Sequence, residues 1–236
     1  MLVNVDASAL EWICAAYLSK DKVAYEEIRA KVDQHTANQI RFGLPTRLIA
    51  KTFVFRLIYG GSAYSYANDP DFESVKGNEK FWQEVIDEFY SKYQGISQWH
   101  TDLISEVTTS GKLRMPTGRI YNFKSEARRG DIVWPRTKIL NYPVQGLGAD
   151  LMAIARVSAF RRFKDQRIEG VLISTIHDSI VADVKSHEVE RVCQLFHNVF
   201  ESIPLNFKRV SGVEWDLPTR CEVSFGPNKF DLTEWK

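Results

Sequence analysis

Two sets of residues in this sequence have types and spacings suited to chemistry on phosphates. The first lies in the stretch Arg47 to Gly61, RLIAKTFVFRLIYGG. Arg47, Lys51, Phe55 and Tyr59 recur at every fourth position, so on an α-helix each lies about 40° further round than the last and all share one stripe. The cations come first, where their charge adds to the partial positive charge of a helix N-terminus and makes a receptor for a phosphate chain. The aromatics follow and offer a stacking face. A nucleoside triphosphate needs both parts. The spacing alone also fits a surface helix with a mixed stripe.

The second set is a pair of acids, Asp6 and Asp178. Asp6 ends an alternating run, Leu2 to Ala7, in which Val3, Val5 and Ala7 alternate with Leu2, Asn4 and Asp6, the pattern of a strand. Asp178 stands in His177-Asp178-Ser179, between the β-rich runs Val171–Ile176 and Ile180–Val184, which read as a hairpin with an acid at its tip. If the strands were neighbours, the carboxylates would repel unless cations intervened. Divalent metals are the usual intervention: magnesium takes one or two protein carboxylates plus substrate phosphates, and a pair of ions can serve both the attacking and the leaving oxygen. An aspartate at a strand end is also a common cap or turn residue.

The elements that must position these groups can be read in outline. Pro45 and Thr46 supply a start for the Arg47 helix, and Gly60-Gly61 a stop. A helix carrying Leu10, Ile13, Cys14 and Tyr17 on one face follows the first strand. From Phe81 to Val107 the apolar residues recur at helical spacing, predicting a long amphipathic helix or helix pair that belongs to the core. Lys112 to Phe123, with Pro116, Thr117 and Gly118 inside it, reads as a hairpin. Pro143 is expected to open a helix reaching about Phe163. The tail after Pro204 reads as mostly irregular, with one strand over Thr219–Ser224. Together these give an α+β fold with a helical insertion between about residues 20 and 135.

Composition bounds the rest. A chain of 236 residues can bury a proper core without a metal or disulfide staple. A formal charge of +1 gives no global basic signature, so nucleic-acid contacts must come from local patches. Cys14, Cys193 and Cys221 are odd in number and widely spaced, which argues for a reducing compartment and against a disulfide framework or zinc site. With no cationic leader and no long apolar run, the sequence reads as soluble and cytoplasmic, without a membrane partner.

The joint order of these segments resembles the family A DNA polymerases, the group of bacterial DNA polymerase I and several phage replicases. Asp6-Ala7-Ser8-Ala9-Leu10-Glu11 is similar to the family's motif A. Arg47, Lys51, Phe55 and Tyr59-Gly60 match motif B position for position, preceded by His35 at the spacing of phage members. Asn141-Tyr142-Pro143-Val144-Gln145-Gly146, with Asp150 beyond, resembles the segment that lines the primer-template. His177-Asp178 resembles motif C. The resemblance implies a palm with an antiparallel sheet and catalytic hairpin, and an inserted helical fingers subdomain: palm over 1–20 and 136–236, fingers over 21–135, the motif B helix at about 45–60 and the motif C hairpin at about 171–184.

It also implies roles. Asp6 and Asp178, with the carbonyl of Ala7, would bind two Mg²⁺ ions. His35, Arg47 and Lys51 would hold the triphosphate of an incoming dNTP and supply charge as pyrophosphate leaves. Phe55 would pack on its sugar and base, Tyr59 would floor the templating pair, and Glu11 would fill the space of a ribose 2′-hydroxyl. Asn141 and Gln145 would meet the minor groove of primer-template DNA, whose shared acceptors report pair geometry and not sequence. His177 would sit by the primer end.

Three positions depart from the family pattern: Ile13 where Arg is frequent, Arg56 where many members have Gly, and Ser179 where motif C usually has Glu. His-Asp-Ser is the form of single-subunit RNA polymerases, one alternative reading, against which Glu11 speaks. A catalytically degenerate DNA-binding subunit is another, against which the two aspartates speak. In the family the thumb, part of the palm and any proofreading exonuclease precede motif A, which here begins close to Met1. The expectation is therefore a split, phage-type polymerase acting in the host cytoplasm. A second polypeptide would supply those parts and cover an unpaired sheet edge and an apolar face.

Overall fold

The structure, a computed structural model, describes residues 1–236. In chain order it contains β1 (Leu2–Ala7), α1 (Leu10–Ser19), α2 (Lys22–Arg29), α3 (Gln34–Arg41), α4 (Arg47–Ile58), α5 (Ala63–Ala67), α6 (Glu79–Lys92) and α7 (Gln94–Ser110). Two small hairpins follow, β2 (Lys112–Arg114) with β3 (Ile120–Asn122) and β4 (Glu126–Arg128) with β5 (Asp131–Val133). The long helix α8 (Arg136–Asp165) leads to β6 (Gly170–Ile176), β7 (Ser179–Val184), α9 (Val189–Glu201), α10 (Ile203–Ser211), β8 (Cys221–Gly226) and β9 (Thr233–Glu234). Contacts divide the chain into two units, Met1–Ile13 with Gly146–Lys236, and Cys14–Gln145.

The first unit is built on an antiparallel sheet of order β6-β7-β1-β8-β9. Strand β1 lies at its centre because its alternation suits burial on one face: Val3, Val5 and Ala7 are buried while Leu2, Asn4 and Asp6 are half-exposed. Val5 stands opposite Ile180 on one side and Val223 on the other, all buried. Against β1 and β8 lies α9, whose Val192, Phe196, Val199 and Phe200 form one apolar stripe. Each such phenylalanine contributes roughly 2–3 kcal/mol by leaving water. Strand β6 is an edge strand with a bulge at Ile173, since Leu172 opposes Ala182 and Ser174 opposes Val181.

The second unit packs its helices around the inner face of α4. Ile49, Ala50, Phe53, Val54, Leu57 and Ile58 are buried, and Phe53 stacks on Trp82 with ring centroids 5.7 Å apart. The Thr46 side chain caps the helix by accepting from the Ile49 N–H. Tyr59 ends it, and Gly60 follows at φ 88°, a left-handed conformation that glycine adopts without steric cost. The amphipathic stretch from Phe81 to Val107 is a helix pair, broken at Tyr93 between α6 and α7. Buried Asp21 ties α2 to the start of α7, accepting from Ala24, Gly95 and Ile96 N–H groups. A Cβ on Gly95 would lie 2.6 Å from the Asp21 Cα, so this approach requires glycine.

Three expectations are corrected. Helix α8 begins at Arg136, and Pro143 lies inside it. The proline removes one helical N–H, but Ile139, Leu140, Val144 and Leu147 around it are buried, and that packing carries the helix through. The tail after Pro204 is not mostly irregular: Pro204 sits in the first turn of α10, where a missing N–H costs nothing, and Ile203 and Phe207 are buried. The tail's strand is Cys221–Gly226, and β9 adds a short edge beyond it. The β4–β5 hairpin had no expected counterpart; Arg129 and Gly130 turn it with positive φ.

Candidate active site

In the sheet unit, β1 and β7 bring the two predicted metal aspartates to one end of neighbouring strands. Asp6 lies opposite Ser179, the residue after Asp178, and the Ala7 N–H donates to the Asp178 carbonyl at 2.9 Å. That bond stitches the last residue of the central strand to the hairpin turn. Both aspartates are half-exposed. The donor set is of hard oxygens, which suits a divalent cation such as magnesium, calcium or manganese.

The turn itself is strained. His177 has φ 52°, a region uncommon for residues other than glycine, and its side chain is exposed at the tip. Ser179 ties the turn internally, its Oγ donating to the Ile176 carbonyl at 3.0 Å. A serine at this departure position therefore has a local structural role. Ile13, another departure, is buried at 5 % exposure and serves the core. Glu11 lies in the first turn of α1, half-buried.

One carboxylate here was absent from the sequence reading. Glu222 on β8 is exposed and stands directly opposite Asp6, so it projects from the same face of the sheet. No local motif marks it; only the pairing of β1 with β8 puts it there. A different cluster, Glu169, His187 and Glu188, brings its ligand atoms within 4.8 Å of one another at the other end of the β6–β7 hairpin from Asp178. Buried Glu188 is already engaged, accepting from the Glu169 N–H at 3.1 Å and pairing with Arg191 at 3.3 Å.

In the helical unit, α4 turns Arg47 and Lys51 outward and leaves Phe55 and Tyr59 half-exposed on the same side, opposite its buried face. Lys51 Nζ lies 5.9 Å from the centre of the Phe55 ring, and His35 packs against the same ring, with centroids 5.6 Å apart. His35 is only 4 % exposed and its Nδ1 has no partner. Burial, then the charges of Arg47 and Lys51, lower its pKa to about 4, so the ring is neutral at pH 7.

Arg47 is gripped side-on by Asp33, Nε to Oδ2 at 2.7 Å and Nη2 to Oδ1 at 3.1 Å. This hydrogen-bonded guanidinium holds the Asp33 carboxyl well below the usual carboxylate range, and the carboxylate in turn raises the Arg47 pKa. Farther along, Tyr59 accepts from the Gln145 amide at 2.6 Å, while Asn141 lies half-exposed one turn earlier on α8. Arg56, the third departure, pairs with Asp69 and Asp71 and lies over the Phe72 ring, which ties α4 to the turn that follows α5.

Comparison with known proteins follows the same outline. A family model described as DNA polymerase family A matches residues 1–231. DNA polymerase I of Chloroflexus aurantiacus is 28% identical over 232 residues, covering 91% of this chain and 24% of the relative. DNA polymerase I of Pseudomonas aeruginosa is 28% identical over 231 residues, covering 91% and 25%. This chain thus spans about a quarter of the length of these relatives. The fold is similar to the POL domain of Pol1 from M. smegmatis, solved in complex with DNA primer-template and dNTP, with a TM-score of 0.79, 21% identity, and coverage of 95% of this chain and 39% of that one. The sheet that pairs β1 with the β6–β7 hairpin and the helices around α4 are the parts of one domain family, and with its model matched from residue 1 to residue 231 the chain belongs to the family A DNA polymerases.

Proposed function

We propose that this chain carries out template-directed DNA polymerisation by two-metal-ion nucleotidyl transfer, as the palm and fingers of a family A polymerase. The observation that carries the reading is the stitching of Ala7 to the Asp178 carbonyl at 2.9 Å, which brings Asp6 and Asp178 to one end of adjacent strands. Asp6 and Asp178, with the Ala7 carbonyl, would hold two Mg²⁺ ions. Such ions polarise the phosphate and ease formation of the attacking and leaving oxyanions. The protein's own part is positioning and charge. Arg47 and Lys51 orient the dNTP's triphosphate and offset the charge that gathers on pyrophosphate. His35, neutral and packed against Phe55, would join them as a triphosphate ligand. Phe55 and Tyr59 give the flat surfaces for sugar, base and template, Glu11 crowds a 2′-hydroxyl, and Asn141, Gln145 and His177 contact the primer-template.

The reading includes a second polypeptide that supplies the thumb, the rest of the palm and any exonuclease. Its support is an apolar surface on the sheet unit: Val171, Ile173 and Ile176 of edge strand β6 and Val157 and Phe160 of α8 are 43–60% exposed. Val157, Phe160 and Ile173 flank a groove of about 400 Å³. The POL domain of similar fold also contains polypeptide beyond the 39% matched here. An interface there would be apolar and larger than about 2,000 Å². No helix is long and apolar enough to cross a membrane, and the reading places the work in the cytoplasm, a host's for a phage-encoded chain.

Mn²⁺ binding, followed by electron paramagnetic resonance on the chain alone, tests the metal assignment without needing the partner. Asp6→Asn and Asp178→Asn should each lose the bound ion while keeping the wild-type circular dichroism, and should abolish Mg²⁺-dependent primer extension where the wild type supports it. Folded variants that bind Mn²⁺ as the wild type does would remove the two-metal reading. Comparing dNTP with NTP extension on one primer decides between the DNA and RNA polymerase readings.

A further inference from the structure

Asp33 carries more bonds than a helix cap needs. Its Oδ1 accepts from the His35 N–H at 3.1 Å and the Thr36 N–H at 3.4 Å, which starts α3, and its Oδ2 accepts from the Thr36 hydroxyl at 2.8 Å. The same two oxygens hold the side edge of Arg47. One carboxylate therefore begins α3, just before His35, and grips the first residue of α4. Arg47 and Asp33 stay half-exposed, at 53% and 45%. The side-on pairing uses Nε–H and one Nη2–H, which leaves the other guanidinium N–H groups, including both on Nη1, directed away from Asp33. A planar guanidinium clamped along one edge cannot rotate its free edge away, so fewer conformations are lost when a phosphate arrives.

We propose that Asp33 is a positioning residue for the nucleotide: it fixes the Arg47 fork so that the unpaired edge is presented to a triphosphate, and it does not touch the nucleotide itself. This rests on the assignment of Arg47 to the triphosphate made above. The pairing also places His35 and Arg47, two of the three phosphate ligands, in one rigid arrangement, since the oxygen that accepts from His35 N–H also accepts from Arg47 Nη2.

Calorimetric titration of the full chain with dGTP and Mg²⁺ tests it. Asp33→Asn keeps an oxygen for the cap and loses the charged two-point grip; Asp33→Ser keeps the cap with a single oxygen. Both should bind dGTP about three- to tenfold more weakly, and Asp33→Asn should add no further loss in an Arg47→Ala background. An undiminished loss in that background would show that Asp33 acts through α3 alone and would overturn the proposal. Tighter binding by Asp33→Asn would overturn it too, since the carboxylate would then be a competitor of phosphate. If Arg47→Ala alone binds dGTP as the wild type does, the assignment of Arg47 falls, and the role of Asp33 with it.

Discussion

Gln145 and Tyr59, one expected at the minor groove and the other beneath the templating pair, are hydrogen-bonded to each other at 2.6 Å. The bond joins the end of α4 to α8 across a separation of 86 residues in sequence. Both side chains lie at the surface or half-exposed, so water competes for each partner. Tyr59→Phe should therefore cost only about 0.5–1 kcal/mol in urea unfolding. A cost above about 2 kcal/mol would make Tyr59 a structural residue of α4. Primer-template titrations with the same variant would show whether releasing Gln145 changes DNA affinity.

The outward stripe of α4 yields two kinetic expectations. Lys51→Ala should lower catalytic efficiency at least about tenfold, which corresponds to roughly 1.4 kcal/mol, a typical worth of one charge-assisted contact. An unchanged efficiency would mean that the stripe faces away from the triphosphate. Lys51 is exposed and has no carboxylate bridge among the ion pairs of the structure, so its removal should leave the melting temperature nearly unmoved.

Two side chains should read the sugar. On the proposed reading, Glu11→Ala would open space next to C2′ and should admit ribonucleotides. On the same reading, Phe55→Tyr would add a hydroxyl near the place of a missing 3′-OH and should raise acceptance of 2′,3′-dideoxynucleotides. Competition between the natural and modified nucleotides on one primer measures both, and a pocket built otherwise would show unaltered ratios in both variants.

Acid should destabilise the helical unit earlier than its carboxylates would suggest. His100 is buried, accepts or donates at Nδ1 to the Tyr90 hydroxyl at 3.0 Å, and has no partner at Nε2. Burial, then Arg136, lowers its pKa to about 3, and burial lowers that of His35 to about 4. The unfolded chain takes up these protons near pH 6.5 and the folded chain does not. Folded stability is therefore fully present above about pH 6.5 and falls as pH drops towards 4, by about 1.4 kcal/mol per pH unit for each histidine. Asp33 works lower, since its depressed pKa costs stability only below the ordinary carboxylate range. Urea unfolding at pH 7, 6 and 5 should show the slope, and His100→Gln should flatten it. A stability independent of pH over that window would mean that both rings accept protons in the folded state.

How far the sequence could be read depended on whether a residue's partner was local. Arg47 to Tyr59 could be placed because one helix carries all four residues at one spacing, and β1 because its alternation spans a whole strand. No local pattern marks Asp33, because its grip on Arg47 joins positions 14 apart and leaves no periodic trace. Glu222 faces Asp6 only through the pairing of β1 with β8. Pro143 misled because a proline is a local signal for a helix start, and buried Leu140, Val144 and Leu147 overrule it. The departures became intelligible only with partners in view: Arg56 with Asp69 and Asp71, Ser179 with Ile176.

The outer edge of β6 should govern how the chain behaves alone. An edge strand presents unpaired backbone groups, and this one adds Val171 at 60%, Ile173 at 51% and Ile176 at 43% exposure, next to Phe160 at 55%. Such an edge pairs readily with another chain unless it is covered or carries charge. The bulge at Ile173 bends the strand, but no lysine or proline guards it. Light scattering of the wild-type chain should therefore show concentration-dependent association. Ile173→Lys with Phe160→Lys should suppress it and leave the circular dichroism unaltered, because both side chains point to solvent and neither belongs to the core. In the same variant, the Mn²⁺ ion at Asp6 and Asp178 should bind as in the wild type, since both substitutions lie away from the hairpin turn. Association that persists in the double variant would place the sticky surface elsewhere, and β6 would then lose its claim as the edge a second polypeptide covers.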